Sequence, residues 1–491
     1  MRMLNREESL LLDKLASTQF DISIEKLIHS AASGMLLKLE SLFEFAKDSI
    51  RTPLGTMEGM IFLIGPGNNG QDGLCLSKLI ANKYPCLAIK ICNYHEFSKL
   101  PDFLEDQWVH PMLVIDAIFG VGLNRNLNDE TIKIIEKLNS KKKLFQIISL
   151  DVSSGLDANT GNEFGTAVKA DYTLACEYPK VGSFLNCGPY RSGKIIRISI
   201  GFPKELIRKV VLDFRLVQKK EAKLLFPQKN PLGNKSKYGH LLIVAGSKKM
   251  PGALRLASEA ASRSGVGYVT LALEEDLLKN LKNVKELLPD FLYISKEELL
   301  NLSNEEMNKK YSGFLFGPGL EPSLQNRKIL EKLLKLKIKI LIDAEGINFI
   351  AHFKMKLHEN CLVTPHAGEL SRLIGMSAKE IESERISACK EFAKKFAKAT
   401  LLLKGPKTMI YDQRKFYIIS SGNKALAKAG TGDVLAGIIG SYLAQGLSVN
   451  KASCLGAYIH GSLADKWIQD GNNFQSLLAS DLVEGLKNYS V

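Results

Sequence analysis

Short apolar, β-branched runs alternate with longer helix-patterned stretches along nearly the whole chain, and this alternation constrains the fold more than any other feature. An apolar run with no polar partner at every second position suits a strand covered on both faces. The helical stretches between such runs supply the crossovers that parallel neighbours require. The runs fall into two blocks, 60–64, 112–115, 146–150 and 172–175, then 240–245, 268–273, 313–316, 338–342, 362–364 and 400–403. Between the blocks, residues 201–237 are rich in lysine, proline and polar side chains and lack the rhythm, so a domain boundary is expected near residue 220. A chain of 491 residues is too long for one ordinary core, which agrees with two α/β domains built on parallel sheets.

Composition narrows the function classes. Hydrophobic residues at 45% and charged residues at 24% exclude a disordered chain. The net charge of +14 comes from lysines and arginines spread along helical stretches rather than interleaved with aromatics, which predicts a solvated surface and no nucleic-acid partner. The eight cysteines include no CxxC pair, and several sit in apolar runs, the pattern of reduced thiols in a reducing compartment. Residues 1–15 alternate charge with leucine and predict an amphipathic helix rather than a signal peptide. The longest apolar stretch, 434–447, is interrupted by Gly437, Gly440 and Gln445 and is too short to span a bilayer. A soluble, cytoplasmic protein without a membrane partner is expected.

In the first block, the run 60–64 leads into Gly65-Pro66-Gly67-Asn68-Asn69-Gly70-Gln71-Asp72-Gly73, with a helix expected from about Leu74. Glycines allow close approach of backbone to a ligand, and a helix start offers free N–H groups to an anion. No Lys-Ser/Thr pair follows, so this is not a Walker loop. The amide and carboxylate oxygens suit a hard cation or ribose hydroxyls. A second run ends in Asp116 and opens into Ala117-Ile118-Phe119-Gly120, and a third ends in Asp151 and continues to Ser153, Ser154 and Gly155. Any one of these acids could simply close a turn. Carboxyl ends of parallel strands line one edge, however, so Asn69, Asp116, Asp151 and Ser154 are expected to converge.

These three loops, in this order and spacing, resemble the epimerase domain of the NAD(P)H-hydrate repair family over residues 1–212. The resemblance implies a Rossmann-like three-layer α/β/α domain. It implies that Asn68, Asn69, Gly70, Gln71, Asp72, Gly120, Val121, Gly122, Leu123, Asn124, Arg125, Asn126 and Asp151 bind the hydrated dinucleotide. It also implies that Asn69, Asp116 and Ser154 hold potassium. Departures from the family pattern are Gln71 for its glycine, Ser153 for its proline, and the segment 27–32, which lacks the usual acid and amide. Epimerisation through a ring-opened or iminium-type species calls for a carboxylate near the reacting carbon, and either Asp116 or Asp151 could serve.

In the second block, Ala429-Gly430-Thr431-Gly432-Asp433 opens an apolar helix. Two glycines and a threonine at a helix start leave N–H groups for a phosphoryl group, and an acid on the first turn can take a proton from an attacking hydroxyl. This resembles the ribokinase-like fold. With Gly317-Pro318-Gly319, Thr364-Pro365-His366-Ala367-Gly368-Glu369 and the run from Lys404 to Thr408, residues 222–491 are similar to the ADP/ATP-dependent NAD(P)H-hydrate dehydratases, with Asn234 standing where those enzymes usually have histidine. The resemblance implies that Ala253, Gly319, His366 and Asp433 contact the hydrate. Lys404, Gly405, Pro406, Lys407, Thr408 and Gly432 would hold the adenine nucleotide, with magnesium, and Asp433 would be the catalytic base. It further implies ADP as the phosphoryl donor, yielding AMP and phosphate, and a homo-oligomer. A vitamin or sugar kinase with an accessory domain would share the Gly-Thr-Gly-Asp loop but not the first block's motifs, and a non-enzymatic RNA-processing scaffold would have little use for cation-type ligands together with a base.

Overall fold

Alternate residues of the first block's central strands enter two different cores, the signature of a sheet covered on both faces. In the computed structural model, Met60, Phe62 and Ile64 join Ala32, Met35, Leu39, Leu76 and Ile80 from two helices on one side. Ile61, Leu63 and Val114 meet Ile134, Ile135 and Leu138 on the other. The structure describes residues 1–95, 111–210, 213–228, 234–275 and 290–489; the expected domain limits at 212 and 491 lie outside them. Two compact units emerge, Arg2–Phe214 and Arg215–Val491.

In the first unit the sheet runs Lys194–Ile198, Tyr172–Cys176, Phe145–Leu150, Met112–Ala117, Gly59–Ile64, Ala88–Asn93, parallel throughout. From Gly59–Ile64 the chain goes first to one neighbour and then returns to the other. The loops after Gly59–Ile64 and Met112–Ala117 therefore part at a switch point, where α/β sheets bind ligands. The runs expected at 60–64, 112–115, 146–150 and 172–175 are all strands, while Ala88–Asn93, Lys194–Ile198 and the small meander Glu44–Phe45, Ile50–Thr52, Gly55–Met57 gave no comparable signal, being short or broken by charge.

In the second unit, Leu292–Ser295, Tyr268–Leu273, His240–Val244, Gly313–Phe316, Lys339–Ile342, Cys361–Val363 and Thr400–Leu403 pair in parallel, and Met409–Tyr411 and Phe416–Ile419 continue the sheet antiparallel. Its switch point lies between His240–Val244 and Gly313–Phe316. The helix Thr431–Ala444 lies in the core with the sheet residues Leu241, Leu315 and Leu341. A Cβ on Gly437 would fall 2.2 Å from the Ala257 carbonyl oxygen, so two helices cross there at backbone contact.

Three expectations change. The helix expected from Leu74 spans Asn68–Lys83, so the Asn-Asn segment forms its first turn rather than a loop; Gly67, in extended conformation, is the true N-cap. The amphipathic helix expected over 1–15 is Arg6–Gln19, shifted because Asn5 caps it with its side chain on the Glu8 N–H. Residues 201–237 are not without elements, since they carry the helices Lys204–Lys209 and Lys219–Leu225 and the strand Phe214–Val217, and the units divide at 214/215, within this segment. These elements are too short for periodicity to reveal. All eight cysteines are free thiols, and no helix among the described residues is long and apolar enough to cross a membrane.

Candidate active sites

At the switch point of the first unit, a cavity of about 550 Å³ opens over the strand ends. Its walls include Asn68, Asn69, Asp72, Gly120, Val121, Gly122, Leu123, Asn124, Arg125 and Asp151. Gly70, Gln71 and Asn126 are not among its lining residues. Gln71 is exposed on the helix, whereas Gly70 packs so closely that a Cβ would sit 2.0 Å from the Gly65 carbonyl oxygen. Glycine is thus obligatory at 70 but not at 71.

Asp116 is fully buried beneath this wall. Its carboxylate accepts from the Ser149 hydroxyl at 2.6 Å, the Ser154 hydroxyl at 2.5 Å and the Ser154 N–H at 3.0 Å. Burial pushes the carboxyl above its ordinary value, against those hydrogen bonds. The Ser154 hydroxyl oxygen also accepts from the Phe119 N–H at 2.9 Å. Next along the chain, a Cβ on Gly120 would lie 3.1 Å from Asn69 Cβ and 3.2 Å from its Cγ. Asn69 is itself buried, and both its amide atoms lack a hydrogen-bond partner. A buried, unpartnered amide costs free energy unless something fills its valences.

Asp151 faces the cavity from a backbone with φ +62°. It accepts from the Cys176 N–H at 3.0 Å and from Lys180 Nζ at 2.5 Å. Lys180 is 1% exposed. Burial opposes its charge, but Asp151 and its other neighbours hold the ammonium above its ordinary value. Neither Lys180 nor Asp13, which also lines the cavity, was among the residues expected from sequence. Asp13 looked like any charge on an amphipathic helix, and Lys180 lies in a segment whose folding back no local pattern announces.

In the second unit, the expected residues form two contact groups, Gly319 with Ala253 and Lys404 with Asp343, Glu369 and Gly432. Gly319, at φ +63°, abuts Ala253, with only 2.6 Å between its Cβ position and Ala253 Cβ. Lys404 Nζ donates to Asp343 Oδ1 at 2.9 Å and lies 3.7 Å from Glu369 Oε2. The same ammonium is 3.8 Å from where a Cβ on Gly432 would be, so it stands beside the N-terminus of the helix Thr431–Ala444. That helix starts from Gly430 at φ +87°, and the Thr431 hydroxyl is tied to the Leu426 and Lys428 carbonyls at 2.9 Å each. Burial raises the Asp433 carboxyl to about 6, with the Asp343 charge adding to the rise and Lys404 opposing it. His366 caps the helix Ala367–Ile374, its Nδ1 accepting from the Gly368 N–H at 3.0 Å, and its ring is 58% exposed. Arg385, absent from the sequence expectations, is buried beneath the 404–408 turn and donates to the Leu403 and Lys407 carbonyls at 3.0 Å each. Lys407 Nζ in turn donates to the Ser420 carbonyl at 3.0 Å.

A family profile described as NAD(P)H-hydrate dehydratase matches residues 241–488, and one described as YjeF-related protein N-terminus matches residues 84–182. The bifunctional NAD(P)H-hydrate repair enzyme of Coxiella burnetii is 32% identical over 440 residues, covering 86% of this chain and 88% of its own. The chain belongs to the family of bifunctional NAD(P)H-hydrate repair enzymes. The Dictyoglomus turgidum repair enzyme aligns over 99% of this chain and 97% of its own at 28% identity. The ADP/ATP-dependent NAD(P)H-hydrate dehydratase of Bacillus subtilis, co-crystallised with ATP and Mg²⁺, matches at 28% identity with a TM-score of 0.50, covering 55% of this chain and 95% of that one. As a member of this repair family, the chain is an NAD(P)H-hydrate dehydratase and epimerase.

Proposed function

We propose that residues 1–212 epimerise the R and S forms of NAD(P)H hydrate and that residues 222–491 dehydrate the S form at the expense of ADP, releasing AMP and phosphate. The observation that carries the second assignment is that Lys404 Nζ lies 3.8 Å from the Cβ position of Gly432, with its charge acting on the adjacent Asp433 carboxyl. A base and a cation thus stand at an N-terminus whose free amides suit a phosphoryl group. Asp433 takes the proton from the hydrate's hydroxyl, whose oxygen attacks the β-phosphoryl of ADP and displaces AMP. Lys404 and the amides from Gly430 to Gly432 stabilise the charge that develops on the transferring group. The ring nitrogen's lone pair then expels phosphate, and loss of a proton from the adjacent carbon restores the double bond. The nucleotide enters as its magnesium complex, held by Lys404, Gly405, Pro406, Lys407 and Thr408. Ala253, Gly319 and His366 face the hydrate.

In the first unit, the buried and unpartnered amide of Asn69 next to the Ser154–Asp116 pair supports a potassium site. These oxygens fit a hard cation, which would satisfy the orphaned Asn69 Oδ1 and offset the Asp116 charge. Asn68, Asp72 and residues 120–125 would cradle the dinucleotide. Asp151 lines the cavity while Asp116 is enclosed by serines, and this favours Asp151 as the carboxylate that meets substrate. A cytoplasmic homo-oligomer completes the reading.

Incubating the purified protein with both hydrate epimers and either ADP or ATP tests it. Complete recovery of reduced-cofactor absorbance supports both activities, and faster recovery with ADP supports the donor assignment. Recovery of only one epimer's share refutes the epimerase, and persistence of the hydrate refutes the dehydratase.

A further inference from the structure

The cavity of the first unit holds an unusual set of charges. Asp13, from the helix Arg6–Gln19, and Asp72, from the helix Asn68–Lys83, line it together with Asp151 and Lys180. Four carboxylates line it, and with Glu177 held by Arg197, the other three share the cavity with a single buried ammonium, which Asp151 already binds at 2.5 Å. Like charges in a desolvated site do not all ionise, so a proton remains on the group farthest from compensation. We propose that Asp72 and Asp151 are the acid and base of epimerisation, and that Lys180 and Asp13 are positioning residues that fix which of them carries the proton. The proposal rests on the reading of this cavity as the epimerase site.

The charges sort accordingly. Asp72 is pushed up to about 8 by burial and then by the charges of Asp151 and Asp13, with Lys180 opposing. Asp13 is pushed up to about 6, again by burial first, with Lys180 lowering it and Asp151 raising it. Near neutral pH, Asp72 keeps its proton, while Asp151 is the carboxylate that the buried Lys180 ammonium binds. Other charged or titratable groups nearby do not change that order. The Cys176 thiol is driven well above its ordinary value by burial, Glu177 is bound by Arg197 at 2.5 Å, and Cys75 is raised by burial. Lys14 and Arg125 stand at the cavity wall, and Lys78 lies beyond Cys75 on the same helix. The unpartnered Asn69 amide lines the same space, which marks it as a place where a ligand completes the bonding.

The proton traffic balances. Asp151 takes the hydroxyl proton of the hydrate, and the bond from the hydroxyl-bearing carbon to the ring nitrogen breaks as that carbon becomes an aldehyde. The electron pair passes to nitrogen, which takes the Asp72 proton. After rotation of the aldehyde, nitrogen attacks its other face, returns its proton to Asp72, and the alkoxide recovers the proton held by Asp151. No oxidant, nucleotide or net proton is consumed.

The test is the pH dependence of kcat/KM for conversion of pure S hydrate to R hydrate by the full-length protein, without nucleotide, read by chromatography. The Asp13→Asn variant removes a negative charge facing Asp72, so the alkaline limb of the profile is expected to move to lower pH by roughly half a unit or more. Asp72→Asn is expected to lose the alkaline limb and about 10²–10⁴-fold in rate. Lys180→Met is expected to move the acid limb to higher pH, and the two near-isosteric Asp variants decide the matter even if the lysine variant fails to fold. An Asp13→Asn profile that superimposes on the parent, or an Asp72→Asn enzyme with normal rate and limb, overturns the proposal while leaving the epimerase reading intact. A parent enzyme that interconverts no epimers at any pH overturns both.

Discussion

In the mechanism we propose, Asp433 is the base of dehydration, and its environment sets a measurable pH dependence. Burial and the neighbouring Asp343 hold its carboxyl at about 6, with Lys404 restraining the rise. A base works only when deprotonated. Its ionised fraction is about 0.9 at pH 7 and about 0.1 at pH 5, so kcat/KM for dehydration should fall roughly tenfold over that interval with a limiting slope of one. The sign is fixed: activity is lost as pH falls through about 6. Asp433→Asn should lower the rate by about 10²–10⁴-fold, equivalent to about 3–5 kcal/mol of transition-state stabilisation, and should flatten the profile. The assay is recovery of reduced-cofactor absorbance from pure S hydrate with saturating ADP, after subtracting an enzyme-free blank at each pH. A parent profile that is flat from pH 5 to 7, or an asparagine variant that retains both rate and slope, would refute the assignment.

Gly120→Ala places a methyl 3.1 Å from Asn69 Cβ; it should displace the amide and reduce both epimerase turnover and the activation by potassium that the proposed site implies, measured by titrating potassium into the exchange assay. Arg385→Met strips the buried guanidinium from the Leu403 and Lys407 carbonyls. At about 1–3 kcal/mol for each buried group left unpaired, it should raise the nucleotide KM at least about tenfold, with a smaller change in hydrate KM. Gly319→Ala forces a methyl to 2.6 Å from Ala253 Cβ at φ +63°; steady-state kinetics should show a raised hydrate KM, and an unchanged one would remove the Gly319–Ala253 contact from the substrate site.

Three features of this fold are hidden from its sequence for physical reasons. The start of the helix Asn68–Lys83 is misplaced by sequence because asparagine and glycine ordinarily signal turns; here Gly67 caps the helix, and the Asn-Asn pair occupies its first turn at the cavity wall. The short elements of 201–237 are missed because a four-residue strand or a six-residue helix displays too little of any period to be counted. Arg385 and Lys180 are missed for a different reason. A basic residue on an apparently solvated stretch carries no local sign that it will be buried against carbonyls or a carboxylate contributed from elsewhere.

Local sequence alone was sufficient for the two-block α/β plan, the long central strands and the glycine-led loops, because each depends on periodicity or on backbone freedom within a few residues. Only the tertiary structure could decide that Asp116 is enclosed by serines while Asp151 meets the cavity, that Lys404 bridges Asp343 toward Gly432, and that Asp13 and Lys180 share a space with Asp72. Charge state and chemical role follow from which groups lie within a few ångströms and how much water is excluded between them, and those distances join residues far apart along the chain.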